Sequence, residues 1–96
     1  IGEEYTGMIT SIVNFGIFIE LDNLVEGMCR FEDMSDYFHF DEHNLMATGE
    51  RSHIVYKMGD KVRIKVVAAS KEDQTIDFMI IGKLDDKAKD DEVEII

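Results

Sequence analysis

The sequence predicts an all-β domain of five strands around one core, and three observations carry that expectation. Gly16–Leu21, residues 61–67 and residues 75–80 each carry a large apolar side chain at every second position, the mark of strands with one buried face. The joints at Asn14-Phe15-Gly16 and Asp22-Asn23-Leu24 are built from residues that favour tight turns between strands. Ninety-six residues with no proline, seven glycines and 45% hydrophobic content suit one domain with a single modest core.

Taken in order, Glu4–Val13 reads as a long first strand, bent at Gly7. In Gly16–Leu21, Ile17, Ile19 and Leu21 share the inward face, and Phe18 and Glu20 the outward one. Residues 25–30 form the third strand, with Val25, Gly27 and Cys29 on one face and Glu26, Met28 and Arg30 on the other. Cys29 is the only cysteine; it has no partner for an internal disulfide and reads as a core thiol. Residues 31–34 suit a short helical turn. Residues 36–56 make a long insertion whose aromatics, Tyr37, Phe38 and Phe40, are too dense for an ordinary loop. It should fold back on the other strands with some residues extended and a turn at Gly49-Glu50-Arg51. In residues 61–67, Lys61, Arg63 and Lys65 face outward, and Val62, Ile64 and Val66 inward. A turn over 71–74 leads to residues 75–80, with Ile76, Phe78 and Ile80 inward. The domain is thus expected over residues 1–82. Residues 83–96 are charged and aperiodic, the composition of a disordered acidic tail.

Charge is unevenly spread. The formal net charge is −11 with a pI near 4.5, opposite to the usual footprint of a nucleic-acid binder. Eight acids (Glu20, Asp22, Glu26, Glu32, Asp33, Asp36, Asp41, Glu42) but one base, Arg30, lie between residues 20 and 42. Between residues 51 and 71 the balance reverses, with six bases (Arg51, Lys57, Lys61, Arg63, Lys65, Lys71) and one acid, Asp60. No apolar run approaches 18 residues and no signal-peptide pattern is present, so a cytoplasmic, non-membrane protein is expected. The chain opens on Ile1 and reads as a piece of a longer protein.

Binding unpaired nucleic acid without sequence preference takes flat aromatic faces for bases and cations for the backbone. Phe18 points outward, Phe15 precedes it by three residues, and a kink or bulge at Gly16 would bring the two together beside Arg30. The bland alternative is that Phe15 caps the core and Phe18 packs on the insertion. Tyr37 has the same two readings, and Lys61, Arg63 and Lys65 are either a solvated face or an auxiliary phosphate-guiding stripe.

The stretch GMITSIVNFGIFIEL with VEGMCRFEDM resembles the first half of an S1 domain, an RNA-binding barrel of the OB fold. The run DYFHFDEHNLMATGERSHIVYKMGDKVRIKVVAASKEDQTIDF is more specific. It resembles the S1 domain near the carboxyl end of the ribonuclease R family, processive 3′-to-5′ exoribonucleases of the RNase II type. The resemblance implies a Greek-key OB barrel with Phe15, Phe18 and Arg30 on single-stranded RNA and Tyr37 or His39 at the margin. It also implies a metal-dependent, Mg²⁺-using catalytic domain elsewhere in the parent chain, with no cofactor and no catalytic residue in this one. The sequence departs from the family pattern in carrying Arg30 where His is common and Glu32 where Ser is common. Ser70 and Thr75 stand where Asp and Arg often flank the last turn.

His39, Asp41, Glu42 and His43 are close in sequence but show no recognised ligand spacing, so no metal site is expected. A second functional class stays open. An acidic module of this kind would also suit docking on a basic protein surface, such as a ribosomal protein or the parent's catalytic domain, with the fragment itself monomeric.

Overall fold

The computed structural model describes residues 2–70, 72 and 75–84. Among the described residues eight strands follow one another: β1 Glu4–Val13, β2 Gly16–Leu21, β3 Glu26–Arg30, β4 Phe38–Asp41, β5 Met46–Gly49, β6 Val55–Lys57, β7 Lys61–Ser70 and β8 Thr75–Lys83. Five of them close a barrel in the order β1-β2-β3-β8-β7, with β1 pairing back to β7. All its ladders are antiparallel except β3 with β8. This is the five-stranded Greek-key barrel of the OB fold.

The inward face follows the alternation in the sequence. Ile17, Ile19, Val62 and Ile64 are fully enclosed, Leu21 and Phe78 nearly so, and Val66 and Ile76 pack on them partly buried. Burial of each such side chain stabilises the fold by about 1.5–3 kcal/mol. Cys29 is buried as a free thiol in the same core, and burial raises its pKa.

Two features of β1 differ from the expectation. Gly7 is a site of close approach rather than a simple hinge. It faces inward opposite Leu21, and a Cβ there would come within 2.5 Å of Ile19 Cγ2. The irregularity lies between Ile9 and Ser11, where the β1–β2 register shifts. It changes the inward parity, so that Ile9 and Ile12 are both buried. No such shift occurs at Gly16, where the β2–β3 ladder is regular from Gly16 to Glu20.

Residues 31–33 form one 3-10 turn. The insertion that follows is a three-stranded antiparallel sheet in the order β4-β5-β6. It shares the barrel's core through Ala47 and Tyr56, and an aromatic run joins the two. Phe31 stacks on Phe38 at 5.5 Å between centroids, and Phe38 leans on Tyr56 at 5.7 Å. The start of β6 and the turn after it are both pinned to the end of β8. Lys83 Nζ donates to Val55 O at 2.5 Å and pairs with Asp60 Oδ2 at 3.2 Å. Strand β8 therefore runs one residue past the boundary expected at Gly82, and the rest of the expected tail, residues 85–96, lies outside the described residues. Among the described residues, no helix is long and apolar enough to cross a membrane.

Candidate nucleic-acid interface

The candidate residues sit where β2, β3 and the start of the insertion meet. Asn14 and Phe15 form the two-residue turn closing the β1–β2 hairpin, since Val13 pairs with Gly16. Phe15 is left 53% exposed, while its carbonyl accepts the amide of Phe31 at 3.1 Å. That bond carries the chain from β3 past the hairpin tip and sets Phe15 against Arg30 and Phe31. A depression of about 530 Å³ opens there, lined among others by Asn14, Phe15, Arg30, Glu32 and Tyr37.

Phe18 lies on the outer face of β2, half-buried and opposite Met28 of β3. A second groove of about 160 Å³ runs beside it, lined by Phe18, Glu26, Met28, Arg30, Thr75 and Asp77. Phe15 and Phe18 therefore do not share one recess, and no kink brings them together. Arg30 links them: it stands exposed at the end of β3 and lines both depressions.

Tyr37 is 66% exposed at the rim of the larger depression. The segment beneath it is held by Asp36. Its Oδ1 accepts the amides of Tyr37 at 2.8 Å and Arg51 at 3.0 Å, and its Oδ2 accepts the Ser52 amide at 3.0 Å and hydroxyl at 2.8 Å. The Tyr37 carbonyl accepts the Glu50 amide at 2.8 Å. Hydrogen bonds led by the Ser52 amide hold the Asp36 carboxyl well below the usual carboxylate range, against the opposing effect of burial. The Gly49-Glu50-Arg51 turn thus wraps one carboxylate. A Cβ on Gly49 would strike that carboxylate and Ser52 Oγ.

His39 lies beyond Tyr37, edge-on to its ring at 5.0 Å, with Nε2 3.1 Å from Glu50 Oε1. It does not line the depression that holds Arg30. Lys61, Arg63 and Lys65 stand on β7 opposite Met8, Thr6 and Glu4 of β1, and Arg63 Nε donates to Glu4 Oε1 at 3.1 Å. In the closed order of strands, β8 separates β7 from β3, so this stripe is on a different flank from Arg30. Asp41 caps its own turn, with Oδ2 accepting Asn44 Nδ2 at 2.8 Å and Oδ1 the His43 amide at 3.0 Å.

The residues missed in the sequence are Asp36, the clamp under Tyr37, and Asp77, which enters the smaller groove across the parallel β3–β8 ladder. For Asp36 the nearby Gly49-Glu50-Arg51-Ser52 turn was a usable sign, since such turns supply free amides to a carboxylate. Asp77 gave no local sign, because its place depends on a pairing between strands distant in sequence.

The family model described as S1 RNA binding domain matches residues 1–81. Ribonuclease R 1 of Lactococcus lactis is 44% identical over 79 residues, covering 81% of this chain and 10% of that protein. Ribonuclease R 2 of the same organism is 43% identical over 82 residues, covering 81% and 12%. The chain therefore spans about a tenth of the length of the curated relatives it matches. Among solved structures, RNase R of Mycoplasma genitalium in complex with ribose methylated single-stranded RNA superposes with a TM-score of 0.77. That match has 28% identity and covers 84% of this chain and 13% of the other.

Proposed function

This chain belongs to the S1 RNA binding domain family, and from that premise we propose that it is an accessory single-stranded RNA-binding domain of a ribonuclease R-like 3′-to-5′ exoribonuclease. RNA runs across the outer face from Phe18 past Arg30 to Phe15, with Tyr37 at the margin and His39 beyond it. Bases stack on the aromatic rings, and Arg30 meets the backbone or stacks through its guanidinium plane. The domain holds the strand and guides its 3′ end toward a Mg²⁺-dependent catalytic domain of the same parent chain. It lengthens residence and takes no part in cleavage.

The observation that carries this reading is the position of Arg30 between two recesses, one with Phe15 and Tyr37 and the other with Phe18. A continuous path of alternating π surface and cation is what a sequence-tolerant single-strand site requires. The relatives named ribonuclease R and the RNA complex of the Mycoplasma enzyme support the choice of ligand and parent.

Fluorescence anisotropy with a labelled single-stranded RNA at several salt concentrations tests it. The expected result is salt-sensitive binding that weakens on Phe18→Ala by about 1–3 kcal/mol, the worth of one stacked base. Absence of RNA binding, together with capture of a basic protein surface, would favour the docking-module reading.

A further inference from the structure

The smaller groove has a polarity that generic strand-gripping does not need. Phe18 pairs with Met28, and Met28 with Asp77, so the three side chains stand in one row on the outer face of β2, β3 and β8. With strands about 4.8 Å apart, the Cα atoms of Phe18 and Asp77 are about 10 Å from each other across Met28. The groove over this row is about 160 Å³, room for one nucleobase lying on Met28 between the ring and the carboxylate. Arg30 lies two residues along β3 on the same face, and Glu26 two residues the other way.

Two carboxylates therefore enter one recess of an RNA platform. Glu26 Oε2 already accepts Thr10 Oγ1 at 3.1 Å. Asp77 is half-buried, and its carboxylate accepts no hydrogen bond from any described residue. A carboxylate repels phosphate and carbonyl oxygens and accepts only N–H or O–H donors. The phosphates are thus left to Arg30, and a base is sorted by the donors on its edge. Guanine presents N1–H and N2–H side by side, a fork that matches both oxygens of a carboxylate. Uracil presents one N3–H between two carbonyl oxygens, which face the same carboxylate unfavourably.

We infer that this groove is a nucleobase subsite that selects guanine over uracil, with the base resting on Phe18 and Met28 and its Watson–Crick edge on the Asp77 carboxylate. The inference rests on the reading of this face as an RNA platform, and it adds a base preference to a site that otherwise binds through stacking and charge.

The test is an anisotropy competition with the whole 96-residue chain and three pentaribonucleotides, UUUUU, UUGUU and UUIUU, where I is inosine. Inosine keeps N1–H and lacks the N2 amino group. UUGUU should bind about tenfold tighter than UUUUU, the discrimination typical of one bidentate base contact, with UUIUU between them. Asp77→Asn offers one acceptor and one donor in place of two acceptors, and should bring guanine and uracil within about twofold of each other. Equal binding of UUGUU and UUUUU by the wild-type chain, with both weakened by Phe18→Ala, overturns the subsite and leaves the RNA platform standing. A guanine preference that survives Asp77→Asn overturns the role of Asp77. No binding to any of the three overturns the platform and the subsite together. The wild-type ranking decides the base preference even if Asp77→Asn does not fold.

Discussion

Gly16 stands directly opposite Arg30 across the β2–β3 ladder, with no room between them for a side chain. A Cβ on Gly16 would lie 2.8 Å from the Cys29 carbonyl oxygen and 3.3 Å from Arg30 Cα. These are backbone atoms, so relief requires the strands to part. Gly16→Ala should therefore cost about 1–3 kcal/mol, as overpacking does, and should displace Phe15 and Arg30 together. Thermal unfolding with an RNA-affinity measurement checks it; an unchanged melting temperature would show that the ladder yields freely.

Ile64 has no exposed surface and lies at the centre of the barrel. Ile64→Ala should lower stability by about 2–5 kcal/mol, combining lost transfer free energy with the cavity left behind. Urea unfolding measures this directly. A loss near zero would contradict the single shared core.

Asp36 and Asp41 make stability depend on acid. Both carboxyls are held below their ordinary range in the folded chain, Asp36 chiefly by the Ser52 amide and Asp41 chiefly by the Asn44 side chain. A depressed folded pKa means that the unfolded chain takes up the proton first as pH falls. The stabilisation is complete above the ordinary carboxylate pKa of about 4 and is lost as pH drops through the range below it. Asp36→Asn should thus be less stable than wild type at neutral pH, with the gap narrowing as the solution is acidified below about pH 4. Melting curves of both proteins across that interval test the sign; a gap that widens in acid would be the opposite of the expected linkage.

Lys83 ties β8 to the exit of the insertion through Val55 O and Asp60, with both charged side chains largely shielded. Lys83→Ala should cost about 1.5–3 kcal/mol, in the range for hydrogen bonds to a charged group. Truncation after Leu84 should leave the melting temperature nearly unchanged. Melting temperatures of the two variants test this assignment, and a larger loss from the truncation than from Lys83→Ala would reverse it.

The strands were legible where one face is buried and the other is wet. The bounds of β2 and the outward placing of Phe18 follow from parity alone. The bulge in β1 was also written in the sequence, as Ile9 and Ile12 of opposite parity, but a single strand read alone does not show which isoleucine changes side. Its cause is tertiary: β1 pairs with β7 only up to Met8, and Ile9 then bonds to Gly59 and Asp60. The three short strands of the insertion were too brief for alternation to declare itself, and Ala47 and Tyr56 reached the core unannounced. At the site, Phe15, Arg30 and Tyr37 were brought around one recess. The separate placing of Phe18, His39 and the β7 stripe depends on strand order, which no local pattern carries.

Whether RNA lies across Phe18, Arg30 and Phe15 is decided by a titration of the domain with single-stranded RNA monitored by backbone NMR shifts. Resonances of Asn14 to Phe18 and Met28 to Glu32 should move together, with Tyr37 following. Arg30→Ala should lower the slope of log affinity against log salt by about 0.7, one phosphate's share for a single strand. Glu32→Ser should tighten binding by removing a like charge beside the path. Shifts confined to Lys61, Arg63 and Lys65 of β7, or a folded Phe18→Ala domain that binds as well as wild type, would contradict this placing of the RNA.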